Sequence, residues 1–281
     1  MAKKNILVSV VIATKNEEKN IGNCLDSIKN QTYPNIEIIV VDSNSIDKTK
    51  KIAKKYTKKV YDIKELNLKK IKNFRGTQIN LGVKKSKGSL IFFPDADMTF
   101  DKNLIQEVVK KSNKFDAFYV PEIIYGKGFF GKIRNFERSF YNGTCIDAIR
   151  FVKRDLFLKV RGFDERNIVF GPDDWDFTKK IKKITNRLSI TESKKYHHEE
   201  WLDIKTYLNK KKEYANTFEG YVKKWGENDP NVKKQLGPFY RLFGVFIENR
   251  KWIKLLRRPI LVFGMYWIRL RVGLNYVMGE K

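Results

Sequence analysis

Leu90-Ile91-Phe92-Phe93-Pro94-Asp95-Ala96-Asp97 is the stretch whose reading decides the fold, because an apolar run of strand length ends on two carboxylates one residue apart. Close acidic oxygens at a strand end make a hard-cation site, suited to Mg²⁺ or Mn²⁺ beside a phosphate-bearing substrate. Upstream of it, buried strands at residues 6–12, 36–41 and 60–63 alternate with helices at 17–30, 46–56 and 74–86. Such alternation predicts an α/β fold with a mostly parallel sheet covered by helices on both faces, its ligands gathered beyond the carboxyl ends of the strands. Downstream the rhythm changes. A helix at 102–112 and a strand at 115–120 lead to the glycine-rich loop 126–131 and a helix rich in Phe, Arg and Tyr. Residues 173–184 then read as a charged helix, 187–191 as a strand, and 201–225 as a long helix with aromatics on one side and lysines on the other.

The chain has 281 residues, 42% of them hydrophobic, enough for a substantial core. With two cysteines, Cys24 and Cys145, there is no disulfide framework. Met1-Ala2-Lys3-Lys4 leads directly into the first strand without the pattern of a signal peptide, so a reducing, cytoplasmic setting is expected. The formal charge of +26 admits nucleic acid, an anionic membrane surface or phosphorylated substrates as partners. Most of the lysines are spread along helix-compatible positions, as a solvated surface requires.

Four short segments stand where a doubly wound sheet collects ligands: Thr14-Lys15-Asn16-Glu17-Glu18, Asp42-Ser43-Asn44-Ser45-Ile46-Asp47-Lys48-Thr49, Asp95-Ala96-Asp97 and Gly171-Pro172-Asp173-Asp174-Trp175-Asp176. Each taken alone reads equally as a helix cap or a dipole-favoured acidic first turn. In this order, joined by Arg75-Gly76 with Gln78, Asn80 and Gly82, and by Gly162-Phe163-Asp164-Glu165, they resemble the inverting nucleotide-sugar transferases of glycosyltransferase family 2, which have the GT-A fold.

The resemblance implies a Rossmann-like GT-A sheet and a hexosyltransferase-class activity that moves a sugar from a nucleoside-diphosphate sugar to a hydroxyl acceptor. In that scheme Thr14, Asn16, Glu17, Asp42, Ser43 and Asp95 hold the nucleotide, and Asp97, with Asp95 and His197, holds Mg²⁺ or Mn²⁺. Arg75 offsets diphosphate charge, as a permanently cationic fork can. Asp174 serves as the general base, supported by Asp173, which stands where the family more often has Glu. Asp176, His198 and Arg150 are further candidates.

The organisation expected is a catalytic domain over 1–200, with a nucleotide half at about 1–100 and an acceptor half at about 101–200, followed by a helical, amphipathic extension over 201–281. From Leu236 onward the chain is apolar and aromatic, interrupted by Arg250, Lys251, Lys254, Arg257 and Arg258. Its longest uncharged apolar run, residues 260–268, is too short to span a bilayer but suits an interfacial helix. These features lead to the expectation of a peripheral enzyme on the cytosolic membrane face, acting on a lipid-linked or cell-surface glycan, with a polyprenyl phosphate as the alternative acceptor and no nucleic acid partner. Two rivals remain. Asp95-Ala96-Asp97-Met98-Thr99 also fits the nucleophile motif of haloacid dehalogenase-type phosphatases, though that motif belongs on a first strand. A basic, aromatic single-strand binder is the other, against which the acidic strand ends speak.

Overall fold

The computed structural model describes residues 5–63, 71–215 and 217–278. Met1-Ala2-Lys3-Lys4, on which the expectation of no leader rests, lie outside the described residues. The strands among the described residues are, in chain order, β1 (Val8–Thr14), β2 (Ile36–Asp42), β3 (Val60–Asp62), β4 (Leu90–Phe92), β5 (Met98–Phe100), β6 (Ala117–Tyr119), β7 (Glu122–Gly126), β8 (Ile149–Lys153), β9 (Leu188–Ile190) and β10 (Lys195–Glu199). The chain divides into two compact units. One comprises the residues up to Pro121 together with Ala148–Tyr196, the other Glu122–Asp147 together with the chain from His197 onward.

The first unit is built on a seven-stranded sheet in the order β3-β2-β1-β4-β8-β6-β9. β3, β2, β1 and β4 run parallel, as do β6 and β9, while β8 is antiparallel to both β4 and β6. Because successive side chains of a strand point to opposite faces, the apolar runs feed two cores at once. Val8, Val10, Ile12, Val40, Leu90 and Phe92 pack on one face against Ile21, Cys24, Leu25 and Ile28 of the helix Ile21–Lys29. Val11, Val41, Ile91 and Phe93 pack on the other against Ile79 and Val83 of the helix Phe74–Lys85 and Phe177 and Ile181 of the helix Asp173–Lys182. Gly82 lets the first of these two helices lie close on the sheet, since a Cβ there would stand 2.2 Å from Val11 Cγ1. The α/β, GT-A-like mostly parallel sheet expected from the sequence is the one observed.

Element boundaries differ most in two places. The helix expected over 46–56 shrinks to Thr49–Ala53, because the residues before it are spent on loop hydrogen bonds. The long helix expected over 201–225 breaks into Ile204–Ala215 and Glu219–Trp225.

The second unit is mainly helical, comprising β7, the helix Gly128–Arg138 and C-terminal helices that include Pro230–Leu236, Trp252–Leu256 and Pro259–Met278. Phe140, Tyr221, Val245, Phe246 and Met265 are fully buried in it, and the Phe140 and Phe246 rings meet edge to face at 5.0 Å. Tyr221 donates to Gln235 (2.7 Å), whose amide donates in turn to the Cys145 carbonyl (2.6 Å). The structure thus joins Glu122–Asp147 to the C-terminal helices, whereas the sequence reading placed those residues in the acceptor half of the catalytic domain. No helix among the described residues is long and apolar enough to cross a membrane.

Candidate active site

The parallel register of β1, β2 and β4 brings their carboxyl ends to one edge of the sheet, and the segments singled out in the sequence begin there. Thr14 is paired with Asp42 across β1 and β2, and Ala13 forms an isolated bridge with Asp95 just past β4. Gln78 straps the first two ends together, its amide donating to the carbonyls of Thr14 (2.8 Å) and Val41 (2.6 Å).

Past those ends the loops 14–18 and 42–49 are stitched to each other. The backbone N–H groups of Asn16, Glu17 and Glu18 donate to Ser45 Oγ (2.8 Å), Thr49 Oγ1 (2.7 Å) and Asp47 Oδ2 (3.1 Å). In return Ile46 N donates to Asn16 Oδ1 (3.0 Å) and Lys48 N to Glu18 Oε2 (3.0 Å). Both loops turn through a left-handed asparagine, Asn16 at φ 54° and Asn44 at φ 59°, a conformation that asparagine tolerates best after glycine. Asp42 is fully buried and accepts from Ser45 N (2.7 Å) and Thr14 Oγ1 (3.2 Å), with Lys50 Nζ at 3.7 Å. Ser43 is buried, its N–H donating to the Thr14 carbonyl (2.8 Å). The capping chemistry legible in these segments is present, but it runs between the two loops as well as within them.

The helix Phe74–Lys85 is capped by Asn73, whose side chain accepts from Gly76 N (2.8 Å). This cap directs Arg75 into a ring of carboxylates. Arg75 Nη2 lies 2.9 Å from Asp95 Oδ1, and Nη1 lies 3.2 Å from Asp173 Oδ2 and 3.0 Å from Asp174 Oδ1. Arg150 closes the ring from the other side, with Nη2 3.3 Å from Asp95 Oδ2 and 3.1 Å from Asp174 Oδ2. The antiparallel pairing of β8 with β4 explains its arrival, because the Arg150 carbonyl accepts from Phe93 N (3.1 Å) two residues before Asp95.

Burial alone would raise the Asp95 carboxyl, but Arg150 and Arg75 outweigh it and, with Lys195, hold the group well below the usual carboxylate range. Asp173 goes the other way. Burial and the charge of Asp174 push it up to about 6 against the opposing pull of Arg75. The loop before it is held by Asn80, whose amide donates to the Phe163 carbonyl (2.9 Å) and Glu165 Oε1 (2.7 Å). Asp176, the last acid of that segment, is also fully buried and lies 3.9 Å from Lys180 on its own helix.

Asp97 and Glu17 complete the acidic edge. Burial pushes the Glu17 carboxyl up against the hydrogen bond from Asn20, and repulsion from Asp97, Asp47 and Asp95 adds to the rise. Glu17, Asp95 and Asp97 therefore share one electrostatic neighbourhood. Among the described residues no group of three His, Cys, Asp or Glu side chains is arranged to enclose a metal ion. An oxygen-only donor pair such as Asp95 and Asp97 nevertheless fits a hard cation, whose remaining positions are ordinarily filled by water and substrate phosphates. His197 and His198 belong to the second unit, where His197 Nδ1 lies 3.3 Å from Glu122 Oε1 and His198 Nδ1 3.3 Å from Glu200 Oε1.

The family model of glycosyl transferase family 2 matches residues 9–171, more than half of the chain and nearly all of the first unit up to its acidic helix. The chain belongs to that family. Among curated relatives it is 37% identical over 92 residues to Glycosyltransferase AglE of Haloferax volcanii, an alignment covering 32% of this chain and 30% of the relative. It is 25% identical over 204 residues to the poly(ribitol-phosphate) beta-N-acetylglucosaminyltransferase TarS of Staphylococcus aureus, covering 68% and 35%. The chain thus spans about a third of the length of these relatives. The solved mannosyltransferase PcManGT of Pyrobaculum calidifontis, in complex with GDP-Man and Mn²⁺, superposes with a TM-score of 0.61 at 18% identity over 98% of this chain and 88% of that one. As a member of glycosyl transferase family 2, the chain carries its acidic residues on the carboxyl edge of this family's sheet.

Arg75, expected to offset diphosphate charge, is paired with carboxylates in this structure. Two residues of the ring were not read from the sequence in any role. Asn73 caps the Arg75 helix and also donates to Asp173 (3.4 Å), and Lys195, buried, helps hold Asp95 low. Asn73 had a signal, an Asx residue immediately before a helical run, whereas Lys195 had none among so many lysines.

Proposed function

We propose that the chain transfers a sugar from a nucleoside-diphosphate sugar to a hydroxyl acceptor with inversion at the anomeric carbon. The observation that carries this reading is the meeting of Asp95, Asp173 and Asp174 around Arg75 and Arg150 beyond the parallel strand ends. Thr14, Asn16, Glu17, Asp42 and Ser43 shape the pocket for the nucleoside, chiefly by fixing the two loops on which it would rest. Asp97, with Asp95, would hold a divalent cation, which when bound neutralises charge on the leaving diphosphate. Arg75 and Arg150 are the cations within reach of that charge once their carboxylate partners yield.

In the transfer, the acceptor oxygen attacks the anomeric carbon from the face opposite the diphosphate, the bond to the diphosphate oxygen breaks, and the acceptor proton passes to a carboxylate. Asp174 takes that role. It is the carboxylate of the acidic helix that remains partly exposed, whereas Asp173 beside it is buried. The acceptor is proposed to be a lipid-linked glycan met on the cytosolic face of a membrane. Support for that comes from Phe239, Leu256 and Ile260, each more than two-thirds exposed in the second unit among Arg250, Arg257 and Arg258.

The test is a screen of nucleoside diphosphates and their sugars for thermal stabilisation with and without Mn²⁺, followed by turnover with the donor found. Asp174→Asn should retain donor stabilisation and lose at least 100-fold in turnover, the lower end of what a general base contributes. Wild-type turnover in that variant would remove Asp174 from the role, and absence of any nucleotide-dependent stabilisation would end the transferase reading.

A further inference from the structure

The ring of arginines and carboxylates in the first unit is closed on itself. Asp174 presents a different oxygen to each guanidinium, Oδ1 to Arg75 Nη1 (3.0 Å) and Oδ2 to Arg150 Nη2 (3.1 Å). Asp95 does the same, with Oδ1 2.9 Å from Arg75 Nη2 and Oδ2 3.3 Å from Arg150 Nη2. Two carboxylates thus bridge the same two arginines, and over these four groups the formal charges cancel. Carboxylate and phosphate oxygens satisfy a guanidinium in the same way, so the pair of carboxylates occupies the cations that a diphosphate would otherwise engage.

The members of the ring differ in their freedom to leave it. Arg75 is fixed at the start of its helix behind the Asn73 cap, its guanidinium 5.8 Å from the centre of the Phe163 ring, and Arg150 stands within β8. They show only 13% and 9% of their side chains to water. Asp173, at 1%, is anchored by accepting from Gly171 N (3.0 Å) and Asn73 Nδ2 (3.4 Å). Asp174, in the first turn of the helix Asp173–Lys182, is 18% exposed and can turn outward while both arginines stay in place. A diphosphate that entered with Asp174 still seated would meet a ring without net attraction and a carboxylate repelling it at close range.

We propose that Asp174 is an intramolecular competitor of the diphosphate. Before the donor binds, its carboxylate occupies Arg75 and Arg150; the entering diphosphate displaces it, and its return to the two arginines helps to expel the nucleoside diphosphate after transfer. The proposal rests on the transferase reading for the identity of the ligand and deepens it by giving the base a second task. The same exchange turns the Asp174 oxygens from the arginines toward the acceptor. Linkage fixes the sign of the effect: if the diphosphate weakens the pairing of Asp174 with the arginines, that pairing weakens the diphosphate equally. Removing the charge of Asp174 should therefore tighten binding, the opposite of what the loss of a ligand-holding residue does.

The probes are UDP, GDP, CDP, ADP, dTDP and inorganic pyrophosphate, titrated calorimetrically into the full-length protein at constant Mg²⁺, with the corresponding nucleosides as phosphate-free controls. Asp174→Asn keeps the shape of the side chain. It should tighten pyrophosphate, and whichever nucleoside diphosphate the parent selects, at least fivefold, mostly through slower dissociation, and leave the nucleosides unchanged. Unchanged or weaker diphosphate binding would overturn the proposal, as would an equal gain for the nucleosides. On an Arg150→Gln background the gain should fall to twofold or less, because one of the two bridging cations is gone; an undiminished gain would reduce the effect to general repulsion and overturn the exchange. Should Arg150→Gln not fold, the comparison of phosphate-bearing with phosphate-free probes in the parent and Asp174→Asn decides the matter alone. If a nucleoside diphosphate binds but Asp174→Asn brings no gain, the competitor role falls and the transferase reading stands. If pyrophosphate shows the gain while no nucleoside diphosphate binds more tightly than pyrophosphate itself, the exchange stands and the transferase reading falls.

Discussion

Asp173 is a carboxyl whose environment prefers it protonated. Its native pKa of about 6 lies above the ordinary 3.8, so between those values the folded protein holds a proton that the unfolded chain releases. The stability from this group is therefore fully present below about pH 4 and is lost as pH rises through 6, by on the order of 3 kcal/mol in all. Asp173→Asn should remove that slope. Urea midpoints of parent and variant should diverge in the variant's favour from pH 4 to about pH 6 and run parallel from there to pH 7, and curves parallel throughout would show that the group does not titrate there. The identity of this residue was readable from its motif, but its direction of titration was not, because it depends on burial and on Asp174 and Arg75 together. Arg150 left a fainter trace, a charge inside the apolar run Ile149-Arg150-Phe151-Val152. A strand that tolerates such a residue in its buried middle has a partner for it elsewhere, and that partner cannot be named from the run itself.

At the scale of elements, apolar periodicity located β1, β2, β4 and the helices Ile21–Lys29 and Phe74–Lys85 closely, since each pairs a buried face with a repeat of its own period. The helix Thr49–Ala53 is shorter than the 46–56 expected because Asp42, Ser45 and Asp47 look like the start of a helix and instead bind backbone of their own loop and of the neighbouring one. Only the tertiary arrangement distinguishes these uses, since the same side chains serve both. The contact of the helix Phe74–Lys85 with the sheet yields a prediction of its own. Gly82→Ala gains about 1 kcal/mol in helix propensity but drives a methyl group to 2.2 Å from Val11 Cγ1 and 3.2 Å from Val41 Cγ2. Overpacking of that kind costs about 1–3 kcal/mol, so a net loss of stability is expected in thermal unfolding. A stabilised variant would mean that the helix can lift off the strands at little cost.

Across the whole molecule the +26 charge acts as a field rather than as a set of contacts. Binding to vesicles rich in anionic lipid should fall at least tenfold between 0.1 and 0.5 M NaCl, as screening shortens from about 10 Å toward 3 Å. Flotation assays check this, and recovery that does not change with salt would leave the exposed aromatics as the sole anchor. The assignment of Glu122–Asp147 to the helical unit was not legible in the sequence. It follows from ion pairs that span more than sixty residues, Arg134 with Glu199 and Glu137 with Arg269, and no local pattern announces those. The order of the main sheet carries a consequence for how this polypeptide is made. β8 fills the gap between β4 and β6 although it leaves the ribosome after both, and after the whole of Glu122–Asp147. A nascent chain halted at Pro121 would therefore present the open edge of β4 and leave β6 without either of its sheet partners, a hazard for self-association that only later translation removes.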